Sequence, residues 1–341
     1  MSFKLTIEPG AHELSVDEGQ TLVDAAIAAG LMLPYSCRDG VCGACKGRIL
    51  SGEVDYGKHG PDTLTAAEKA DGLALFCCAT PRSDLVIEAR NVLRADDIPV
   101  KKLPCRVQEM SQPTADVMIL TVKLPATEKF AFRAGQYIDF LLPEGRRRSF
   151  SIANGPERQD SIELHIRHVP GGLFTDQVFS TMKARDILRF EGPLGSFFLR
   201  EDSDAPIILL AGGTGFAPIK SIVEHAFAQG LSRPMTLYWG SRDRAGLYQA
   251  ELAEQWAATH DGFKFVPVLS DMTPEDDWHG RTGLVHHAVM ADHPDLSGHQ
   301  VYACGAPAMI DAARADLTAR CALPEDQYFA DAFTLSADAQ P

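Results

Sequence analysis

The sequence predicts three modules in series: a small α+β domain, an antiparallel β-barrel and a doubly wound α/β domain. Three observations carry this expectation. Cysteines 37, 42 and 45 crowd into one short stretch near the amino terminus, with Cys77 and Cys78 downstream. Residues 102–202 read as short alternating segments separated by Gly and Pro, the pattern of a small barrel. From residue 206 a continuous apolar run enters a glycine-rich turn, after which strand-like and helix-like patterns alternate.

With 45% hydrophobic and 23% charged residues over 341 positions, the composition is that of a globular chain long enough for two or three cores. A net charge of −14 repels phosphate backbones, so nucleic acid is not an expected partner. No run of about 18 apolar residues occurs, so no membrane span is expected. Residues 1–10 alternate like a strand and lack the basic start and apolar centre of a signal peptide, so a cytoplasmic protein is expected. Charge is uneven along the chain. Residues 1–93 hold 13 acidic and 8 basic residues, 94–202 hold 15 and 16, and 203–341 hold 18 and 8. With the polar, Pro99-containing stretch 94–101 read as a linker, this divides the chain into modules 1–93, 102–202 and 203–341.

In the first module, segments 3–7 and 13–16 flank Pro9-Gly10 and read as a hairpin. Thr21 stands as the cap of an apolar-periodic helix ending at Gly30. Thr65 and Glu68 have the spacing of a capping box. A reducing compartment argues against disulfides among the eight cysteines. Cys37-x4-Cys42-x2-Cys45, with a fourth cysteine far downstream, is the plant-type [2Fe–2S] spacing. Gly40 and Gly43 let the loop bend and aim its N–H groups at sulfur, which stabilises a negatively charged cluster. A zinc ribbon would bring two Cys-x2-Cys pairs, whereas here there is one pair and a crowded triple.

Residues 1 to about 93 resemble a plant-type ferredoxin domain, which implies a β-grasp fold. The stretch Leu75-Phe76-Cys77-Cys78-Ala79-Thr80-Pro81 is similar to the family segment that carries the fourth ligand. Matching Ala79, Pro81 and Asp84 to that segment implies Cys77 as the ligand beside Cys37, Cys42 and Cys45. Cys78 stands as the alternative.

The second module shows strand-like segments at 105–107, 117–123, 137–142, 149–152, 162–167 and 187–190. Its most basic spot, Arg146-Arg147-Arg148, opens one of them and precedes an aromatic, an arrangement able to hold a phosphate beside a flat ring. This block resembles the flavin domain of the ferredoxin–NADP reductase family. The family motif Arg-x-Tyr-Ser is matched by Arg148-Ser149-Phe150-Ser151, with Phe replacing Tyr. The resemblance implies FAD, with Arg148 on its pyrophosphate, Phe150 against the isoalloxazine and the Ser151 hydroxyl near flavin N5. A second match, His165-Ile166-Arg167 followed by Gly171-Gly172 and Thr175, implies flavin-edge contacts and a helix N-terminus at the pyrophosphate.

In the third module, segments 206–211, 235–240, 263–268 and 300–303 read as buried parallel strands with helices between them. Gly212-Gly213-Thr214-Gly215, with Pro218 shortly after, lets backbone N–H groups approach a pyrophosphate at a helix start. No acid ends the second strand to take a ribose hydroxyl. Gly240-Ser241-Arg242 stands there instead, so NADH and NADPH both stay open and Arg242 is a candidate contact. Val301-Tyr302-Ala303-Cys304-Gly305-Ala306-Pro307 is similar to the family's Cys-Gly-x-Pro turn, which implies Cys304 and Gly305 beside the nicotinamide. Phe333 is the tail residue expected near the flavin.

Nicotinamide delivers electrons in pairs and an iron–sulfur cluster takes them singly, so a flavin belongs between them. No side chain is needed as a general acid or base. Ser151 and Cys304 are expected to align flavin N5 with the nicotinamide carbon. Over residues 1–335 the domain order resembles the electron-transfer reductases of bacterial oxygenases, such as those of benzoate dioxygenase and phenol hydroxylase. It is also similar to the CDP-deoxyglucoseen reductases of dideoxysugar synthesis. The first reading is an NADH-dependent reductase feeding an oxygenase. The second feeds an iron–sulfur dehydratase. A non-enzymatic carrier or sensor that keeps the cofactors without turnover is the reading from another class.

Overall fold

The computed structural model describes residues 1–90, 92–94 and 98–334, without the side chains of 93 and 94. It divides into two compact units: Met1–Pro99 with Gly195–Phe197 and the carboxy-terminal residues, and Val100–Leu194 with Phe198–Phe333.

The first unit is built on a five-stranded sheet in the order His12–Asp17, Ser2–Glu8, Leu85–Glu88, Lys46–Ser51, Leu73–Leu75. Ser2–Glu8 pairs antiparallel with its hairpin partner and parallel with Leu85–Glu88. Alternation decides which side chains enter the core. Leu5, Ile7 and Val16 are fully buried, while Lys4 and Glu13 on the other face form an exposed ion pair. Helix Leu22–Ala28 covers the sheet with Leu22, Val23, Ala25 and Ala26, and Thr21 accepts from the Asp24 N–H as its cap. The second expected cap is a full capping box: Thr65 accepts from the Glu68 N–H and Glu68 accepts from the Thr65 N–H. Arg94 pairs with Leu31, and Lys101 opens a barrel strand. Of the linker expected at 94–101, residues 95–97 lie outside the described residues.

The second unit holds both remaining modules. The barrel order is Arg147–Ser151, Tyr137–Leu141, Ile187–Leu194, Lys101–Thr114, Val117–Lys123, Ser161–Arg167, every neighbouring pair antiparallel. An Ile152–Leu164 bridge joins its two edge strands. Leu120, Val122, Ile138, Phe140, Ile162, Leu164, Ile166 and Phe190 fill it. The sequence pattern marked only 105–107 of the 14-residue strand Lys101–Thr114. Pro104 and Pro113 lie within it, and register shifts interrupt its alternation after Val107 and Ser111.

The nucleotide module is an all-parallel sheet in the order Arg281–Thr282, Phe263–Leu269, Met235–Ser241, Ile207–Gly212, Gln300–Gly305, Tyr328–Ala332. The segment expected only to supply tail aromatics is its sixth strand. Strand order reverses between Ile207–Gly212 and Gln300–Gly305. The carboxyl ends of these two strands flank the crevice where such sheets bind ligands.

Candidate active site

The loop from Cys37 to Cys45 turns through left-handed backbone at Arg38, Gly40 and Gly43, with φ of +58°, +71° and +76°. It sorts the sulfurs into two contacting pairs, Cys37 with Cys42 and Cys45 with Cys77. Backbone N–H groups face them. Asp39 donates to Cys37 Sγ at 3.4 Å, Val41 also donates to Cys37, and Gly40 donates to Cys77. Cys78 Sγ lies 3.6 Å from Cys77 Sγ. One tetrahedral zinc, with Zn–S near 2.3 Å, would draw all four sulfurs to about 3.8 Å of one another. Among the described residues, no three of these sulfurs lie mutually within 4.8 Å. Two thiol pairs with amide donors suit two irons.

At the barrel edge, Arg148 pairs with Phe140 and Phe150 with Ile138, so both side chains share the core-side face. Phe150 packs against Phe140 (centroids 6.0 Å) and against Phe174 (5.4 Å) on helix Leu173–Ser180. The structure thus brings the Arg-x-Phe motif and the helix after Gly171-Gly172 together. Gly171 has φ +79°. Thr175 locks that turn: its Oγ1 donates to the Val169 carbonyl (2.9 Å) and accepts from the Val169 N–H (3.2 Å). The other Arg triplet members pair locally, Arg147 with Glu191 and Arg146 with Glu144. Ser149 donates to Asp139 Oδ1 at 2.6 Å. Ser149 and Ser151 both project from the face opposite Phe150, and Ser151 is buried at the strand end. Ile166 is part of the barrel core.

In the nucleotide module, Gly213-Thr214-Gly215 forms a single 3-10 turn leading into helix Phe216–Ala228, and Pro218 is buried in that helix's first turn. A Cβ on Gly215 would stand 2.1 Å from the Cys304 carbonyl oxygen, so the glycine turn packs directly on the Cys304-Gly305 turn. The Trp239 indole donates to the Gly213 carbonyl at 3.0 Å and stacks on Phe216 at 3.9 Å. Cys304 is fully buried. Its thiol donates to the Asp331 carbonyl at 3.3 Å, and burial raises its pKa well above the usual thiol range. The thiol is therefore held protonated, facing the Asp331 carbonyl. The Phe333 N–H donates to the Gly305 carbonyl at 2.8 Å, which brings the tail alongside this turn. Arg242 is exposed just beyond strand Met235–Ser241.

Three protein-family descriptions match in the same order: a 2Fe-2S iron-sulfur cluster binding domain over 5–82, an oxidoreductase FAD-binding domain over 104–199, and an oxidoreductase NAD-binding domain over 209–315. The chain is 41% identical to the CDP-6-deoxy-L-threo-D-glycero-4-hexulose-3-dehydrase reductase of Yersinia pseudotuberculosis, covering 98% of this chain and 100% of that one. It is 38% identical to DmpP, the phenol 2-monooxygenase reductase component of a Pseudomonas species, covering 99% and 96%. The solved structure of the Amycolatopsis cytochrome P450 reductase GcoB superposes with a TM-score of 0.81 at 37% identity, covering 98% and 100%. The chain belongs to the three-module flavin/[2Fe–2S] reductases. Its cofactors are FAD, a [2Fe–2S] cluster and NAD(P)H, and electrons pass from NAD(P)H through FAD to the cluster.

The reductase also holds a buried polar network that the sequence did not signal. Strand Ser161–Arg167 turns Ile162, Leu164 and Ile166 into the barrel and Glu163, His165 and Arg167 out of it. His165, matched to the flavin edge, instead sends its ring to the Tyr248 hydroxyl (Nδ1, 2.8 Å) and to Glu163 (Nε2, 3.0 Å). Lys220, on the helix that starts at the glycine turn, lies 3.0 Å from Glu163 and 2.6 Å from Glu224. A Cβ on Gly213 would stand 3.0 Å from Arg167 Nη2. Burial pushes the His165 pKa down more than Glu163 raises it. The ring is therefore neutral, donating from Nε2 to the carboxylate and accepting from tyrosine at Nδ1. One strand thus fixes the barrel against the nucleotide turn. The clue in the sequence was a lysine four residues before a glutamate on a largely apolar helix.

Burial raises the Glu163 pKa, but the His165 hydrogen bond and the Lys220 charge outweigh it and hold it at about 2, against 4.5 for a free carboxyl. Because the folded pKa is the lower one, the stabilisation is complete above about pH 4.5 and is lost as pH falls toward 2. Glu163→Gln is expected to destabilise this unit by about 3 kcal/mol at pH 7, where Lys220 loses a buried partner. Urea unfolding at pH 7 and pH 3 should show the gap between variant and wild type narrowing in acid. A constant gap would mean that the carboxylate charge is not what stabilises.

Proposed function

We propose that the chain is the NADH-oxidising reductase component of an oxygenase system, acting in the cytoplasm. The observation that carries the reading is the coexistence, in one chain, of two thiol pairs and a glycine turn packed on the Cys304 turn. The end-to-end likeness to phenol 2-monooxygenase and cytochrome P450 reductase components supports the oxygenase as acceptor. A second reading, delivery to an iron–sulfur dehydrase, is favoured by the 41% identity to the hexulose-dehydrase reductase. The modules are read as 1–93, 102–202 and 203–341, and the pairing of Arg94 with Leu31 and of Lys101 with Gly192 brackets the linker between the first two.

When bound, nicotinamide, flavin and cluster together would pass the electron pair of one hydride on as single electrons. The chain's residues orient and neutralise. Cys37, Cys42, Cys45 and Cys77 would hold the irons, with the Asp39, Gly40 and Val41 amides offsetting charge on sulfur. Arg148 would neutralise the flavin pyrophosphate, and Phe150, backed by Phe174, would carry the ring. Ser149, His165 and Ile166 lie on the two edge strands of the barrel and would meet the flavin there. Ser151 offers its hydroxyl at the strand end. The Gly213, Thr214 and Gly215 amides would meet the nicotinamide pyrophosphate, with Gly171, Gly172 and Thr175 shaping the matching turn on the flavin side. Pro218, Gly305 and Phe333 set the shape of the nucleotide crevice, and Arg242 stands at the adenosine end.

Arg148→Ala removes a charge-assisted contact worth about 1.5–3 kcal/mol, so flavin affinity is expected to fall roughly 10- to 100-fold. Gel filtration of the variant should return protein depleted of yellow flavin with its cluster retained. Full occupancy would place the pyrophosphate elsewhere. The function itself is tested by mixing the purified, cofactor-loaded reductase with NADH or NADPH and each acceptor class. Turnover of a phenol-hydroxylase-type oxygenase supports the first reading, and turnover of only the dehydrase supports the second. A protein that reduces neither, nor cytochrome c, is a carrier.

A further inference from the structure

Two helices on the nucleotide module bring together a donor set unrelated to any of the redox groups. Helix Val285–Asp292 carries His286 and His287, and helix Pro307–Arg320 carries Asp316. One nitrogen or oxygen from each lies within 4.8 Å of the other two. His286 Nε2 is 3.2 Å, and His287 Nε2 3.9 Å, from the same carboxylate oxygen, Asp316 Oδ2. The other oxygen, Oδ1, faces Arg320 at 3.6 Å. We propose that His286, His287 and Asp316 bind a divalent transition ion of the zinc class, pinning the two helices together.

The two printed ligand-to-ligand edges, 3.2 Å and 3.9 Å, are close to those of a tetrahedral site. Zinc–nitrogen and zinc–oxygen bonds of about 2.0–2.1 Å place neighbouring ligand atoms about 3.3 Å apart. The His286 edge already has that length, and the His287 edge reaches it by a small turn of a side chain that is 55% exposed. His286 is 3% exposed, so packing fixes one ligand before the ion arrives. Its Nδ1 is buried without a hydrogen-bond partner. Two neutral imidazoles and one carboxylate suit zinc, cobalt and nickel and not calcium or magnesium, which select oxygen. Three protein ligands leave the fourth position for water.

The test uses untagged full-length reductase with flavin and cluster in place, stripped with a chelating resin and titrated with zinc chloride by equilibrium dialysis. One saturable zinc per chain at micromolar concentration is expected, with an upward shift of a few degrees in the unfolding temperature of the nucleotide module. His287→Ala and Asp316→Asn should each weaken binding at least tenfold while leaving zinc-free cytochrome c reduction unchanged. Zinc absorption-edge spectroscopy should report a shell of nitrogen and oxygen alone. Sulfur in that shell would move the ion to cysteines, and unaltered affinity in both variants or no saturable binding would equally overturn the assignment.

Discussion

Cys42→Ser is expected to abolish NAD(P)H-driven cytochrome c reduction while leaving ferricyanide reduction near the wild-type rate. Cys42 is the contact partner of Cys37, within the loop whose amides converge on sulfur. Serine keeps the shape but offers a hard oxygen where iron–sulfur chemistry selects soft thiolate. Losing even an outer-shell partner costs metal sites 10- to 100-fold, so losing a ligand should lower cluster-dependent rate by about 100-fold or more. Ferricyanide takes electrons directly from flavin, whose proposed residues Arg148 and Phe150 belong to the other compact unit. The two assays therefore separate. Iron analysis and the paramagnetic signal of the dithionite-reduced protein check the cause. If cytochrome c reduction survives beside a lost cluster signal, electrons leave from flavin and the cluster is off the route.

The contrast between what the sequence revealed and what it hid follows the range of the interactions. Local devices were legible. Thr21 and the Thr65–Glu68 box close within three residues, the Ser2–Glu8 hairpin turns on Pro9-Gly10, and the cysteine triple lies on one loop. The apolar strand entering Gly212 was legible because a strand buried on both faces needs no alternation. Strand Lys101–Thr114 was mostly hidden because prolines and register shifts break its period. Tyr328–Ala332 takes its identity from a partner 27 residues earlier, and the His165–Tyr248 bond spans 83 residues. Motif matching singled out Arg148 and Phe150, which share one face of their strand. It could not show that Ser149 and His165 turn their side chains the other way, because a motif records positions and not the face each residue takes.

Gly215→Ala is the change with the largest expected effect on nicotinamide use. Its backbone, φ −58°, is one any residue adopts, so conformational freedom is not the reason for glycine here. Close approach is. A methyl group would stand 2.1 Å from the Cys304 oxygen, 2.5 Å from its carbonyl carbon and 2.9 Å from the Gly305 nitrogen. All three are main-chain atoms, so no side chain can rotate away. The glycine turn and the Cys304-Gly305 turn must separate by about 1 Å, at the point where strand order reverses and the nucleotide binds. A misplacement of that size can cost about 100-fold in rate, so kcat/KM for NADH should fall by about that factor, measured with ferricyanide. Overpacking should also cost about 1–3 kcal/mol of stability. Flavin and cluster absorbance should persist, since the proposed flavin residue Arg148 and the loop cysteines lie on other elements of the chain. Gly298→Ala supplies the control. Nothing lies within 4 Å of its added carbon, and its kinetics and stability should match wild type. A Gly215→Ala variant with unaltered kcat/KM would mean that the nucleotide binds away from the crevice between Ile207–Gly212 and Gln300–Gly305, and the glycine turn would be a packing device alone.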